Sequence, residues 1–262
     1  MPQSDPQPLF DGLSGERGRF SITAPDGWRQ GRTLFGGASA ALAVEAACRS
    51  LADIPSLKSA QFAFIGPAVG QLDILVREIR RGKSSVIVAV DMVAEGTPTL
   101  VAHLFFASER ESIFAHDRLG RPSVPVPDLC ADMKTLIRMP RYSTNLDLRL
   151  ADGSLPFSGA DDPEILAWVR RVEDEPASDA ARLVLVADSV PPAATALLLD
   201  PCPGNTMNWS IDILNPRPST AWHLFRSRSD YGHGGYSVQT MNLWDEAGRP
   251  LVAGHQSVTL YA

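Results

Sequence analysis

The chain has 262 residues, 44% hydrophobic and 21% charged, a balance that supports an ordinary packed core. Its net charge of −6 argues against a nucleic-acid partner, which demands a basic face, while leaving room for a local cluster that binds a small polyanion, and no stretch reaches the roughly 18 uninterrupted apolar residues of a membrane span. The opening MPQSDPQPLF lacks the basic-then-apolar pattern of a signal peptide, and Cys48, Cys130 and Cys202 are too scattered for a disulfide framework or a zinc site, so a reducing cytoplasm and no metal are expected.

In chain order, residues 19–23 read as a short strand that leads through a Pro-Asp-Gly turn and Trp28 toward a helix. That helix, residues 33–51, organises the first half. From Gly37 onward nearly every residue is Ala, Leu, Val or Cys, and the polar stripe is Ser39, Glu45, Arg49 and Ser50. A helix apolar almost all round is a buried one, and Glu45 and Arg49, four apart, can pair on the face that meets water. Gly36 and Gly37 stand at its N-terminus, where free N–H groups and the dipole can hold an oxygen that gathers negative charge. The plainer reading is that these glycines only permit tight packing of helix on sheet.

Strand-like runs follow at residues 58–65, 71–79, 85–93 and 100–107, alternating polar and apolar and joined by short turns. Such alternation predicts an antiparallel sheet. Residues 109–163 are rich in proline, with strand patterns at 145–150 and 165–172. The Ala/Leu/Val-rich stretch 180–199 predicts a second central helix, with Pro191 and Pro192 kinking it or marking its first turn. Strands resume at 207–214, 222–229, 236–244 and 251–261.

The order of elements is therefore repeated. Phe64-Ile-Gly-Pro67 answers Ile213-Leu-Asn-Pro216 at an offset of 149 (216 − 67), and Leu100-Val-Ala102 answers Leu251-Val-Ala253 at 151 (253 − 102). A tandem duplication is the simplest account. It gives an α+β chain of two tandem units, each an antiparallel sheet wrapped around a central helix, at residues 1–110 and 141–262 with a linker at 111–140.

Leu34-Phe-Gly-Gly37, Trp168-Val-Arg-Arg171, Asp188-Ser-Val-Pro-Pro192, Ile213-Leu-Asn-Pro216 and the run from Leu243 through Gly248 and Leu251-Val-Ala253 to Gln256 together resemble the double-hotdog acyl-CoA thioesterases, relatives of bacterial acyl-CoA thioesterase II. The resemblance implies hydrolysis of acyl-CoA thioesters without metal, cofactor or covalent enzyme intermediate, and sheet edges available for self-association. In that family an Asp, a Ser or Thr and a Gln hold the attacking water. Carried over by position they fall on Asn208, on or near Asp230, and on Gln256; only the Gln matches. The resulting expectation makes Asp230 the general base, Asn208 and Gln256 the water-positioning amides, and Gly36 and Gly37 the substrate-binding helix start, with the Gly37 N–H as oxyanion donor. Asp212 is the reserve acid. The bland reading of Asp230 is a turn residue in Asp230-Tyr-Gly-His-Gly-Gly235, and for Gln256 a tie between strands.

Other constellations are weaker. His233 and His255 lack the Gly-x-Ser-x-Gly elbow that a Ser-His-Asp enzyme would place before them, and Gly82-Lys-Ser84 lacks the first glycine of a phosphate loop, having Arg77 there. Trp209, Trp222, Tyr236 and Trp244 fit sheet packing better than an acyl tunnel, and Arg32, Arg226 and Arg228 fit solvated charges better than a CoA phosphate site. A non-catalytic acyl-CoA-binding protein is the alternative from another class. An enoyl-CoA hydratase would need an Asp with a His five residues later near a helix start, which the chain lacks.

Overall fold

The computed structural model describes residues 5–262; Met1 to Ser4 of the opening segment lie outside it. The first half contains β1 (Ser14–Glu16), β2 (Arg19–Thr23), β3 (Arg29–Gln30), β4 (Thr33–Leu34), α1 (Gly36–Ser50), β5 (Leu57–Phe64), β6 (Gln71–Arg81), β7 (Ser85–Ala94) and β8 (Thr97–Ala107). The second contains β9 (Ala131–Asp132), α2 (Met133–Leu136), β10 (Leu146–Gly153), β11 (Glu164–Arg171), α3 (Asp179–Val186), β12 (Gly204–Ile213), β13 (His223–His233), β14 (Tyr236–Asp245) and β15 (Pro250–Leu260). Among the described residues no helix is long and apolar enough to cross a membrane.

Thirteen strands form one antiparallel sheet in the order β1-β2-β6-β7-β8-β5-β12-β15-β14-β13-β11-β10-β9. The two units meet at its centre, where β5 pairs with β12. Each contributes a sheet wrapped on a helix, as the duplication requires. The repeat extends to irregularities: register shifts at Leu57/Ser59, Glu78/Arg80 and Met92/Val93 recur at Thr206/Asn208, Ser229/Tyr231 and Leu243/Trp244. A bulge bends and twists its strand, so equivalent bulges give the two sheets equivalent curvature. The sheet's outermost strands, β1 and β9, are only three and two residues long, and so short an edge offers little backbone for pairing.

Helix α1 buries Gly37 through Ala47 in the concavity of the sheet. Its methyl-sized side chains let α3 and the strands approach closely. The second helix is shorter than its sequence suggests. Ser178 caps it, its side chain accepting from the Ala181 N–H, and it ends at Val186, with a 3-10 turn at Ala193–Leu197 beyond Pro191 and Pro192. Neither proline can donate a backbone hydrogen bond, so the α-helix cannot run through them.

β11 and the adjoining ends of β13 and β14 are buried on both faces. Trp168, Trp222, Leu224 and Trp244 pack on the side away from the helices, where Trp168 and Trp244 donate their indole N–H groups to the carbonyls of Pro125 and Leu119. Residues 119–125 thus form a strap across that face.

A candidate active site where one helix meets a carboxylate of the other

Helices α1 and α3 lie antiparallel, the N-terminus of α3 against Glu45 of α1 and the N-terminus of α1 against Asp188, two residues past the end of α3. Glu45 lies nine residues beyond the first residue of α1 (45 − 36), and Asp188 nine beyond the first of α3 (188 − 179). Glu45 Oε2 accepts the Ser178 N–H at 2.8 Å, while Asp188 accepts the Gly37 N–H. The free N–H groups and positive dipole end of each helix start account for both contacts.

The two ends differ in what surrounds the carboxylate. Glu45 is 4% exposed and paired with Arg49 (Nε–Oε1 2.8 Å), and Arg49 also donates to the Leu13 carbonyl. Glu45 turns inward, toward the other helix, while Arg49 reaches the N-terminal segment with its side chain still 36% exposed to water. That segment is pinned there: Leu9 and Phe10, both buried, donate their N–H groups to the Glu175 carboxylate, which also receives Arg171 at 2.6 Å. The Glu45 end is closed and neutralised.

Asp188 instead opens into a cavity of about 540 Å³. Gln256 Nε2 donates to its Oδ1 at 2.6 Å. Its Oδ2 lies beside Gly36, 3.0 Å from where a Cβ would stand there, and Gly36 lines the cavity. Burial pushes the carboxyl up to about 7, against the opposing pull of the Gln256 and Gly37 hydrogen bonds; no basic side chain offsets it. An acid with that affinity for protons can take one from water near neutral pH. Phe35 and Tyr142, stacked at 3.9 Å with an 8° interplanar angle, form an apolar wall with Phe64, and the Tyr142 hydroxyl donates to the Ser189 carbonyl.

Gln256 is 2% exposed and faces inward opposite Trp209. Its Oε1 accepts from Gln239 Nε2 at 2.8 Å, and Gln239 Oε1 in turn accepts the Ala193 N–H at 3.1 Å. The sheet provides an internal control for this polar row. By the register of the repeat, Trp209, Gln256 and Gln239 answer Ala60, Leu104 and Val88, which are apolar and fully buried. The fold packs well without amides at these positions, so their presence on one side belongs to the cavity.

The structure brings Gly36, Gly37 and Gln256 together and leaves Asn208 and Asp230 outside. Trp209 occupies the inner face, so alternation turns Asn208, Ser210 and Asp212 outward; Met207, left unpaired by the bulge, is exposed as well. Asp230 sits unpaired in the β13 bulge, its side chain 43% exposed and 3.9 Å from Arg228. The assignment of these two residues to the water site, and of Asp212 as reserve acid, is therefore corrected by strand parity. The Gly37 N–H, expected to face a substrate oxygen, faces the Asp188 carboxylate and works against its upward shift. Asn208→Ala and Asp230→Asn should each leave turnover within about twofold of wild type and stability within about 0.5 kcal/mol, in assays and thermal melts run side by side. A collapse of turnover in either would restore it to the site.

Of the aromatic residues singled out, Trp209 packs on Phe62 and Tyr236 is exposed. Arg226 pairs with Glu164 at 2.6 Å. Among the described residues no cluster of His, Cys, Asp and Glu could hold a metal ion, and the three cysteines are free.

Comparison with known proteins agrees with this architecture. A solved hotdog protein of unknown function from Alicyclobacillus acidocaldarius superposes with a TM-score of 0.88 at 24% identity, covering 97% of this chain and 98% of that one. A candidate thioesterase from Novosphingobium aromaticivorans gives 0.80 at 26% identity, over 97% of this chain and 100% of that one. The acyl-CoA thioesterase II of Mycobacterium marinum gives 0.75 at 19% identity over 96% of each. Among curated proteins no significant match is found. Residues 24–107 match the model of the acyl-CoA thioesterase N-terminal domain and residues 121–260, more than half of the chain, that of the C-terminal domain. The chain is a double-hotdog protein and belongs to the acyl-CoA thioesterase family.

Proposed function

We propose that this protein hydrolyses acyl-CoA thioesters by direct attack of water, with Asp188 as general base. The observation that carries the reading is the asymmetry between two equivalent carboxylates: Glu45 is neutralised by Arg49, whereas Asp188 keeps a raised proton affinity and faces a cavity. A thioester carbonyl placed beside Asp188 Oδ2 would be attacked by a water whose proton passes to that oxygen. Gln256 fixes the other carboxylate oxygen. The charge developing on the carbonyl oxygen is met by the remaining N–H groups at the start of α1, with Gly36 nearest the cavity. Collapse of the tetrahedral intermediate breaks the C–S bond, and the CoA thiolate recovers the proton from Asp188. Water, thioester and base then balance to free acid, CoA thiol and an ionised carboxylate. The apolar wall of Phe35, Phe64 and Tyr142 suits an acyl chain, and the free cysteines suit a cytoplasmic setting.

Release of free thiol from a panel of acyl-CoAs of increasing chain length tests this. At least one should be hydrolysed, with kcat/KM rising through a midpoint near pH 7 as Asp188 ionises. Tight binding of every acyl-CoA with no thiol released would make the protein a binder instead.

A further inference from the structure

We propose that Gln239 is a positioning residue that sets which way round the Gln256 amide is held, and so whether Asp188 faces an N–H donor or an oxygen. The inference rests on the reading of Asp188 as the base. It follows from a one-way chain of donors. The Ala193 N–H, at the first residue of the 3-10 turn beyond Pro191 and Pro192, can only donate. It therefore selects Gln239 Oε1, at 3.1 Å. The Gln239 amide must then present its Nε2 to Gln256, which accepts at Oε1 over 2.8 Å and presents its own Nε2 to Asp188 at 2.6 Å. An amide is nearly symmetric in shape, so packing alone cannot choose between its two orientations; a backbone donor two residues upstream in the chain of contacts can. Gln239 and Gln256 are each 2% exposed, so water does not compete for these sites. Val88 and Leu104 occupy the equivalent places in the first unit, where Glu45 needs no such orientation because Arg49 holds it.

Reversal of the Gln256 amide would set its Oε1 against Asp188 Oδ1 at hydrogen-bond distance. Two acceptors can share that distance only if Asp188 is protonated. The other groups facing Asp188 do not mask the effect: Tyr142 keeps its proton because burial pushes its hydroxyl up, the α1 start supplies only the Gly37 N–H, and Arg138 and Cys202 line the same cavity without a hydrogen bond or ion pair to the carboxylate.

The test is the titration of Asp188, followed by carbon-13 NMR of aspartate-carboxyl-labelled protein and assigned by the signal missing from Asp188→Asn. In Gln239→Glu one carboxylate oxygen still accepts the Ala193 N–H, but the other confronts Gln256 and turns its amide over. The Asp188 midpoint should rise by about one pH unit above that of wild type. Gln239→Leu, which mimics the apolar residue of the first unit and guards against a variant that fails to fold, should raise it less but in the same direction. Where hydrolysis is detected, the midpoint of the kcat/KM–pH profile should move with it. An Asp188 midpoint identical to wild type in Gln239→Leu, which adds no charge, with only the melting temperature lowered, would reduce Gln239 to a packing residue and overturn the proposal, whatever Gln239→Glu does, since its added charge alone raises the midpoint. A shifted midpoint in a protein that hydrolyses no acyl-CoA would sustain the positioning role and remove the hydrolase reading.

Discussion

Asp188→Asn should lower kcat by about a thousandfold, within the range of about 10²–10⁴ typical of a positioned general base, while leaving substrate binding close to wild type. Asparagine keeps an oxygen for the Gly37 N–H and the Gln256 amide but cannot take a proton from water. The same change should stabilise the fold, and the sign depends on pH. The folded carboxyl is pushed up to about 7 from an ordinary 3.8, so the folded state holds its proton more tightly than the unfolded chain. That stabilising contribution is complete below about pH 4 and is lost as pH rises through 7, where the charge is forced on a desolvated site. At pH 8 Asp188→Asn should therefore exceed wild type by about 1–3 kcal/mol, with a melting temperature higher by about 2–4 °C per kcal/mol, and the difference should disappear toward pH 4. Calorimetry across pH 4–8 checks it. Unchanged turnover in the variant would remove Asp188 from the chemistry, whatever the melts show.

Gly37→Ala should be the most damaging of the single-methyl changes at the site. In a free helix interior Gly to Ala stabilises by about 1 kcal/mol. Here the added Cβ would stand 2.7 and 2.8 Å from the ring of Phe35 and 2.9 Å from Asp188 Cβ. The Phe35 ring cannot swing aside, because it is stacked on Tyr142 and 2% exposed. The strain therefore falls on Asp188, which is pushed off the start of α1 and loses the Gly37 N–H. We expect stability to fall by about 1–3 kcal/mol, the cost of overpacking a close-packed site, and kcat by about a hundredfold or more from the displaced base. Gly36→Ala places its Cβ 3.0 Å from Asp188 Oδ2 and 3.5 Å from Phe64, so it should disturb the fold less while obstructing the reactive oxygen. Paired melts and kcat measurements separate the two. A Gly37→Ala protein with full kcat would show that the helix start and the carboxylate need not touch.

Much of the sheet was readable because strands such as β6 and β12 alternate buried and exposed residues, and period two survives distant context. The bulges were not readable as such, since a bulge leaves a strand's composition intact; the repeated offsets of 149 and 151 spoke only for the duplication. The site was harder. Gln256 stood out as an amide among Leu251, Val252 and Val258, a place where burial without a partner is expensive. Asp188 carried the same signal, a lone carboxylate after Leu183-Val-Leu-Val-Ala187 and before Val190, yet its partner at Gly37 lies about 150 residues away and no local pattern connects them. The equal nine-residue spacing of Glu45 and Asp188 from their helix starts would have found it, had the second helix's short extent been known. Asn208 and Asp230 were placed by family position, and the inward Trp209 beside Asn208 already argued for the outer face. Pairing of Glu45 with Arg49 followed from four-residue spacing, whereas its burial depended on an N-terminal segment whose course no pattern in residues 5–13 reveals.

The seam at which β5 pairs with β12 also governs how the chain must assemble. It joins residues 57–64 to residues 204–213, so the sheet cannot close until almost the whole chain exists. On a ribosome adding about 5–20 residues each second, the first unit waits on the order of ten seconds with β5 paired to β8 on one side and open along its other edge. Such a strand is a template for any other extended segment, including the same strand of a neighbouring nascent chain. Folding should accordingly be slow and concentration-sensitive, with exchange of whole units between chains as its natural error, because the half that completes the sheet is nearly the same shape as the half already made.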